Sequence, residues 1–270
     1  MSELMFGDDP DFPDNDEPRY KQIAKEYRKR IIDGELKDGE KLPSEAQLCE
    51  IHDVSPITAR SAMRLLREWG FANGIRGKGV FVRRLHKLTR IAPMRYFRGQ
   101  EARTYVREAE AANVAMKVEH KTTTTTAPAK IAERLGINEG DPVTCTRYFI
   151  RMGDPLQPVT SSYAWEPLAI TGGTDIELPH EGPYADKGVV DRFREIKLFI
   201  NQVEEVLDIR TPTIEEAKLL DMPANRPVVQ ITQTFRVADR VGAEDDLAVE
   251  TADILFPADR YELRYVMDVR

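Results

Sequence analysis

The sequence predicts an α+β protein: an N-terminal winged helix-turn-helix, a short linker, and a larger α+β domain around an antiparallel sheet. Three observations predict it. Residues 42–82 hold two short helical patterns, a tight turn and a glycine-rich hairpin. From about Met94 onward the pattern changes to longer strands with short helices. The charge also changes sign along the chain. Residues 1–17 carry seven acids and no base, residues 18–87 carry sixteen bases and nine acids, and residues 88–270 carry 23 bases and 30 acids.

The elements follow in order. Residues 1–17, rich in Asp and Pro, lack periodicity and are expected to be a disordered acidic tail. A first helix is expected over Arg19–Ile32, with Tyr20, Ile23, Tyr27 and Ile31 as its core stripe and Gly34 ending it. A second starts at Ser44, where Gln47 three residues later completes a capping box, and continues through Leu48 and Ile51. His52-Asp53 leads into a turn, with Val54 packed beneath it.

For the third helix, Ser55 suits the N-cap and Pro56 the first helical position, where its missing N–H has no partner to lose. Ala62, Leu65, Leu66 and Trp69 form one apolar stripe. Arg60, Arg64 and Arg67 lie opposite, at i, i+4 and i+7. Such a helix fits a major groove; the alternative is a solvated charged face. The run Arg76-Gly77-Lys78-Gly79 is a hairpin tip, because glycine permits positive φ, and it sets Arg76 and Lys78 where a wing meets phosphates or the minor groove. The whole chain has a net charge of −7, which argues against nucleic acid. The basic module between acidic ones reverses that argument.

The order PRYKQI…II.G…KLPSE..L…VS..TAR.A…L…G…..GKGVFV resembles the N-terminal domain of GntR-type bacterial transcription regulators, over roughly residues 18–83. The resemblance implies base and phosphate contacts from Ser44, Ser55, Thr58, Arg60, Arg76, Gly77 and Lys78; the arginine stripe adds Arg64. Two positions depart from the family pattern. Ala46 and Pro56 stand where relatives often carry guanine-reading arginines.

Residues 84–93 read as a linker, and 94–270 as the second domain. Val118–Thr126, with five consecutive threonines, is expected as a strand with a polar face. Residues 127–149 and 211–235 look duplicated. At an offset of 85, Ala132 matches Ala217, Leu135 matches Leu220, Pro142 matches Pro227 and Val143 matches Val228. Each copy reads as a short helix, a turn and a strand. Strands are expected over Val143–Arg151, Gln157–Trp165, Pro227–Ala238 and Leu247–Phe256, with Tyr261–Met267 as an edge strand.

This layout resembles the UTRA ligand-sensing domain of the HutC subgroup over roughly residues 94–268. The resemblance is carried by the LG…GDPV..TRY run, the turn at Gly153-Asp154-Pro155, the Ser162-Tyr163 pair, the EA.LL…..PV…T.TF run, and Glu250 followed by Asp259-Arg260-Tyr261. It implies homodimerisation and a small anionic effector held by Arg147, Ser161, Ser162, Tyr163, Glu250 and Tyr261. Phe149 replaces a second arginine common in relatives, which weakens a phosphate clamp. The expected function is a dimeric repressor that binds an inverted-repeat operator in double-stranded DNA and is released by the effector. One alternative is a ligand-independent repressor, for example of plasmid transfer genes, whose second domain only dimerises.

An enzyme is the remaining class, since the UTRA fold is similar to chorismate lyase. No Ser-His-Asp set, zinc motif or dinucleotide loop accompanies it, so no enzyme, cofactor or metal is expected. Cys49 and Cys145 fall in different domains and are expected as reduced core thiols. No apolar run is long enough to span a bilayer and no signal-peptide pattern opens the chain, which points to the cytoplasm.

Overall fold

The computed structural model describes residues 17–75, 77–83, 88–92, 103–238 and 246–266. The acidic segment 1–16, Arg76 and residues 84–87 and 93 of the expected linker lie outside the described residues. The chain forms two compact units, Met1–His86 and Lys87–Arg270.

The first unit holds α1 (Arg19–Ile32), α2 (Glu45–His52), α3 (Pro56–Trp69) and a hairpin of β1 (Ala72–Ile75) and β2 (Gly79–Val82). Local chemistry sets its boundaries. The Ser44 side chain accepts from the Gln47 amide while the Gln47 side chain accepts from the Ser44 amide, so two otherwise orphaned donors at the start of α2 are satisfied. Ser55 caps α3 ahead of Pro56, and Gly70 ends α3 at φ 82. The fully buried α3 residues are Ala59, Ala62, Met63 and Leu66. Leu65 and Trp69, expected in the stripe, pack at its flank, because the buried face is set three residues earlier, at 59, 62, 63 and 66. Tyr27, Ile31, Leu42 and Leu48 complete this core. Each such aliphatic burial contributes about 1.5–3 kcal/mol.

The second unit is built on a six-stranded antiparallel sheet with order β4-β5-β6-β9-β8-β7. Its strands are β4 (Met116–Thr126), β5 (Pro142–Met152), β6 (Gln157–Pro167), β7 (Gln202–Arg210), β8 (Val228–Val237) and β9 (Leu247–Pro257). The order reveals two three-stranded meanders joined where β6 meets β9. Helix α5 (Ala129–Leu135) links the first two strands of one meander, and α8 (Ile214–Leu219) links the first two of the other. The offset of 85 therefore maps α5-β5 onto α8-β8. Ala132 and Ala217, Leu135 and Leu220, and Val143 and Val228 are all buried. The repeated residues bury each connecting helix against the sheet: α5 packs on Val143 and on Ala248 of β9, and α8 packs on Val228.

Helices α4 (Thr104–Ala112) and α7 (Val189–Glu195) lie over the other face of the sheet, and the one-turn α6 (Leu168–Thr171) follows β6. Two expectations change here. Residues 88–92 of the expected linker form β3 (Leu88–Ala92), with Leu88 and Arg90 buried. Residues Tyr261–Tyr265 form β10, which pairs parallel with β3 as a separate two-stranded sheet and not as an edge of the main one. Strand β7, absent from the expected elements, is an edge strand with no fully buried residue, so its periodic signal is weak.

Candidate nucleic-acid interface and ligand cavity

In the first unit, the cap residues and the arginine stripe share the solvent face of α2 and α3. Ser55 and Thr58 hydroxyls lie 2.9 Å apart, and the Thr58 amide donates to Ser55 Oγ at 3.2 Å. Arg60 reaches back to the first residue of α2. Its Nε donates to Glu45 Oε2 at 3.0 Å, and its Nη2 lies 2.9 Å from the same oxygen. A bidentate guanidinium–carboxylate contact fixes both plane and position, so Glu45 holds Arg60 in one orientation. Arg64 lies 3.6 Å from Glu68 at i,i+4. Ser44, Arg60, Arg64 and Arg67 are exposed.

The hairpin tip turns through Gly77 at φ 76 and Gly79 at φ 118, with the Lys78 amide donating to Ile75 O at 3.0 Å. Gly77 and Lys78 are exposed. Strand β2 is flanked on its other side: Leu42 N donates to Val80 O and Val82 N to Glu40 O. The wing is thereby tied to the entry of α2. Ser44, Ser55, Thr58, Arg60, Arg64, Gly77 and Lys78 all belong to this unit, and Arg76 lies outside the described residues.

The second unit contains a cavity of about 150 Å³ between the sheet and helices α4 and α7. Its floor is apolar, from Ile150, Ala164, Ala252, Ile254 and Phe256. Its polar lining includes Arg103, Arg107, Tyr148, Ser162, Gln233 and Glu250. Arg103 donates to Ala185 O at 2.7 Å, to Pro179 O, and to the Tyr148 hydroxyl at 3.5 Å, all uncharged acceptors.

A buried charge cluster adjoins the cavity on the same face of the sheet. Arg192 contacts Glu166 directly and lies 4.0 Å from Glu250. All three are almost fully buried. Two carboxylates share one guanidinium. Burial holds the Glu250 carboxyl well above the usual range, the neighbouring Glu166 adds to this, and Arg192 opposes it. The shift favours the uncharged form of the Glu250 carboxyl. Burial likewise raises the Tyr148 phenol, and burial with nearby Arg103 lowers His180 to about 3.

The six residues expected to gather around an effector divide between the two faces of the sheet. Ser162, Glu250 and Tyr261 line the cavity, with the Tyr261 hydroxyl 3.1 Å from that of Thr160. Arg147, Ser161 and Tyr163 lie on the opposite face. Arg147 is exposed, pairs across the strands with Tyr163, and sits 5.9 Å from its ring centroid. The reason is the strand period of two: Ser161, Ser162 and Tyr163 are consecutive and cannot share a face. The residue opposite Ser162 is Tyr148, one position from the arginine chosen. The sequence reading also missed Arg103, Arg107 and Arg192. Arg192 left little local signal, because α7 reads VVDRFRE and mixes its arginines with Asp191 and Glu195.

Cys49 and Cys145 are free and partly buried. No helix among the described residues is long and apolar enough to cross a membrane, and no group of three or more His, Cys, Asp or Glu among them could hold a metal.

Residues 19–82 match the family of bacterial regulatory proteins called the gntR family, and residues 118–262 match the UTRA domain. An HTH-type transcriptional regulator of Streptomyces coelicolor is 28% identical over 240 residues, covering 86% of this chain and 88% of its own. The transcriptional repressor NagR of Bacillus subtilis is 24% identical over 258 residues, covering 93% and 95%. A crystal structure of a GntR-family transcriptional regulator superposes with a TM-score of 0.61 at 32% identity, covering 94% of this chain and 99% of that one. The chain belongs to the GntR family of DNA-binding transcription regulators, with a winged helix-turn-helix reader followed by a UTRA domain of the kind that binds small-molecule effectors, and it is not an enzyme.

Proposed function

We propose that this protein is a dimeric, cytoplasmic repressor that binds an inverted-repeat operator and is released when a small organic acid enters the cavity of its second unit. NagR, a relative along nearly the whole chain, carries the name repressor, which supports the direction of control. Two symmetry-related recognition helices require two related half-sites, which supports the inverted repeat.

The observation that carries the effector reading is the cavity itself, with an apolar floor and converging polar groups. About 150 Å³ matches a cavity known to hold one benzene ring. A one-ring or short branched carboxylic acid fits that volume; a sugar phosphate is larger. Arg103, whose acceptors are uncharged, supplies the cation for a carboxylate. Glu250, in its protonated form, supplies a donor to a second ligand oxygen, and Ser162 lies on the same face. Arg147 faces away from this space and takes no part.

For release, the ligand must bind the arrangement that cannot grip DNA more tightly than the one that can. A coupling of about 1–3 kcal/mol changes operator affinity roughly 5–150-fold. The test is a thermal-shift screen of the full chain against one-ring carboxylic acids, aliphatic acids and sugar phosphates, followed by operator binding with each hit. A carboxylic-acid hit that weakens operator binding supports the proposal. Hits confined to sugar phosphates refute the ligand class. The absence of any hit favours the ligand-independent repressor.

A further inference from the structure

The first turn of α3 carries a side chain that neither the core nor the charge pattern uses. Ile57 is 75% exposed, the highest value among the large apolar side chains described. It is not part of the buried face of α3, which is Ala59, Ala62, Met63 and Leu66. It falls instead on the cationic stripe, with Arg60, Arg64 and Arg67 at i+3, i+7 and i+10. Local structure does not call for it. At a solvated helix position isoleucine is less favourable than alanine, arginine or lysine. One apolar side chain among charges is also too small to dock a protein partner.

Its surroundings hold it still. Pro56 fixes the backbone ahead of it, and Ser55 and Thr58 are hydrogen-bonded across it at 2.9 Å. Arg60, one turn on, is clamped by Glu45. Ile57 is itself β-branched, with essentially one χ1 rotamer in a helix. A stiff apolar tip therefore projects from the end of the helix that meets base edges. In the major groove the one apolar group on a base edge is the thymine 5-methyl.

We infer that Ile57 reads the 5-methyl group of a thymine in the operator half-site and is a specificity-determining residue of this protein. Arginines set the affinity and the grip on the backbone, while Ile57 selects an A·T pair at one position without a hydrogen bond.

Deoxyuridine in place of thymidine removes only the methyl group and so isolates the contact. Duplexes are first enriched from a random pool by the full chain, and each enriched thymine is then replaced singly by deoxyuridine. Wild-type affinity is expected to fall about fourfold at one thymine of each half-site, the equivalent of ~0.8 kcal/mol for one buried methyl. Ile57→Ala is expected to bind the thymine and uracil duplexes equally, and Ile57→Val to keep most of the discrimination. Enriched sequences in which no thymine methyl matters would overturn the inference. So would an equal methyl dependence in wild type and Ile57→Ala. A pool that shows no enrichment would overturn it together with sequence-specific binding itself, which separates the two failures.

Discussion

The reading surface and the cavity occupy separate units and are assembled in opposite ways. The surface on the first unit comes from one contiguous stretch, Ser44 to Lys78. Its functional side chains are the solvent remainder of helices whose buried faces are set by local spacing. The cavity draws on Arg103, Tyr148, Ser162, Glu250 and Tyr261, which lie far apart in the chain. They meet only because β5, β6 and β9 are neighbours in the sheet and α4 covers them. A helix exposes its unused face over several residues, so an error of one position costs little. A strand inverts at every residue, so the same error moves a side chain to the other side of the sheet.

The strongest way to break this comparison is to unfold one unit at a time. Leu66→Ala in the first core and Ile231→Ala in the second each remove a fully buried side chain. Each is expected to cost about 2–5 kcal/mol. Scanning calorimetry should show Leu66→Ala moving only the transition of the first unit and Ile231→Ala only that of the second. A single transition shifted by both would show that the units fold as one.

The reading surface is tested next. Arg60→Ala should cost about 1–3 kcal/mol of operator affinity and relax base preference at one position. Lys78→Ala should weaken all sequences more evenly, because a wing lysine meets phosphates. Gel-shift titrations on matched operator and random duplexes distinguish the two. Indistinguishable specificity ratios for the two variants would count against a base-reading role for Arg60.

The cavity unit carries a pH signature of about 1.4 kcal/mol per pH unit at most. Glu250 has a folded pKa raised above its unfolded value near 4.5. Its contribution to stability is therefore complete below about 4.5 and is lost as pH rises through the raised folded value. Glu250→Gln keeps the neutral donor and removes the titration. Urea unfolding at a series of pH values above 4.5 should show the variant losing less stability than wild type as pH rises. Parallel curves would mean that Glu250 is ionised in the folded protein.

The smallest effect is expected where the two faces of the sheet are compared directly. Ser162→Val should weaken stabilisation by any cavity ligand, and Arg147→Ala should leave it unchanged. Ligand-induced melting shifts on the two variants make the check. Equal losses would place the ligand outside the cavity.

Much of the first unit was legible in the residues alone. Ser44 with Gln47, Ser55 with Pro56, and the Gly77–Gly79 tip have local physical meanings that no distant contact alters. The repeat at an offset of 85 was legible too, because in each copy the helix and the strand that follows it carry the same buried residues. What sequence could not supply was the pairing of strands and the choice of face. That Glu166, Arg192 and Glu250 converge, that Arg147 faces away while Tyr148 faces the cavity, and that Leu88–Ala92 leaves the linker to pair with Tyr261–Tyr265 follow from contacts between segments tens to over a hundred residues apart. Such contacts form when buried apolar area offsets the entropy of closing long loops, a balance set by the assembled sheet and not by any local run of residues.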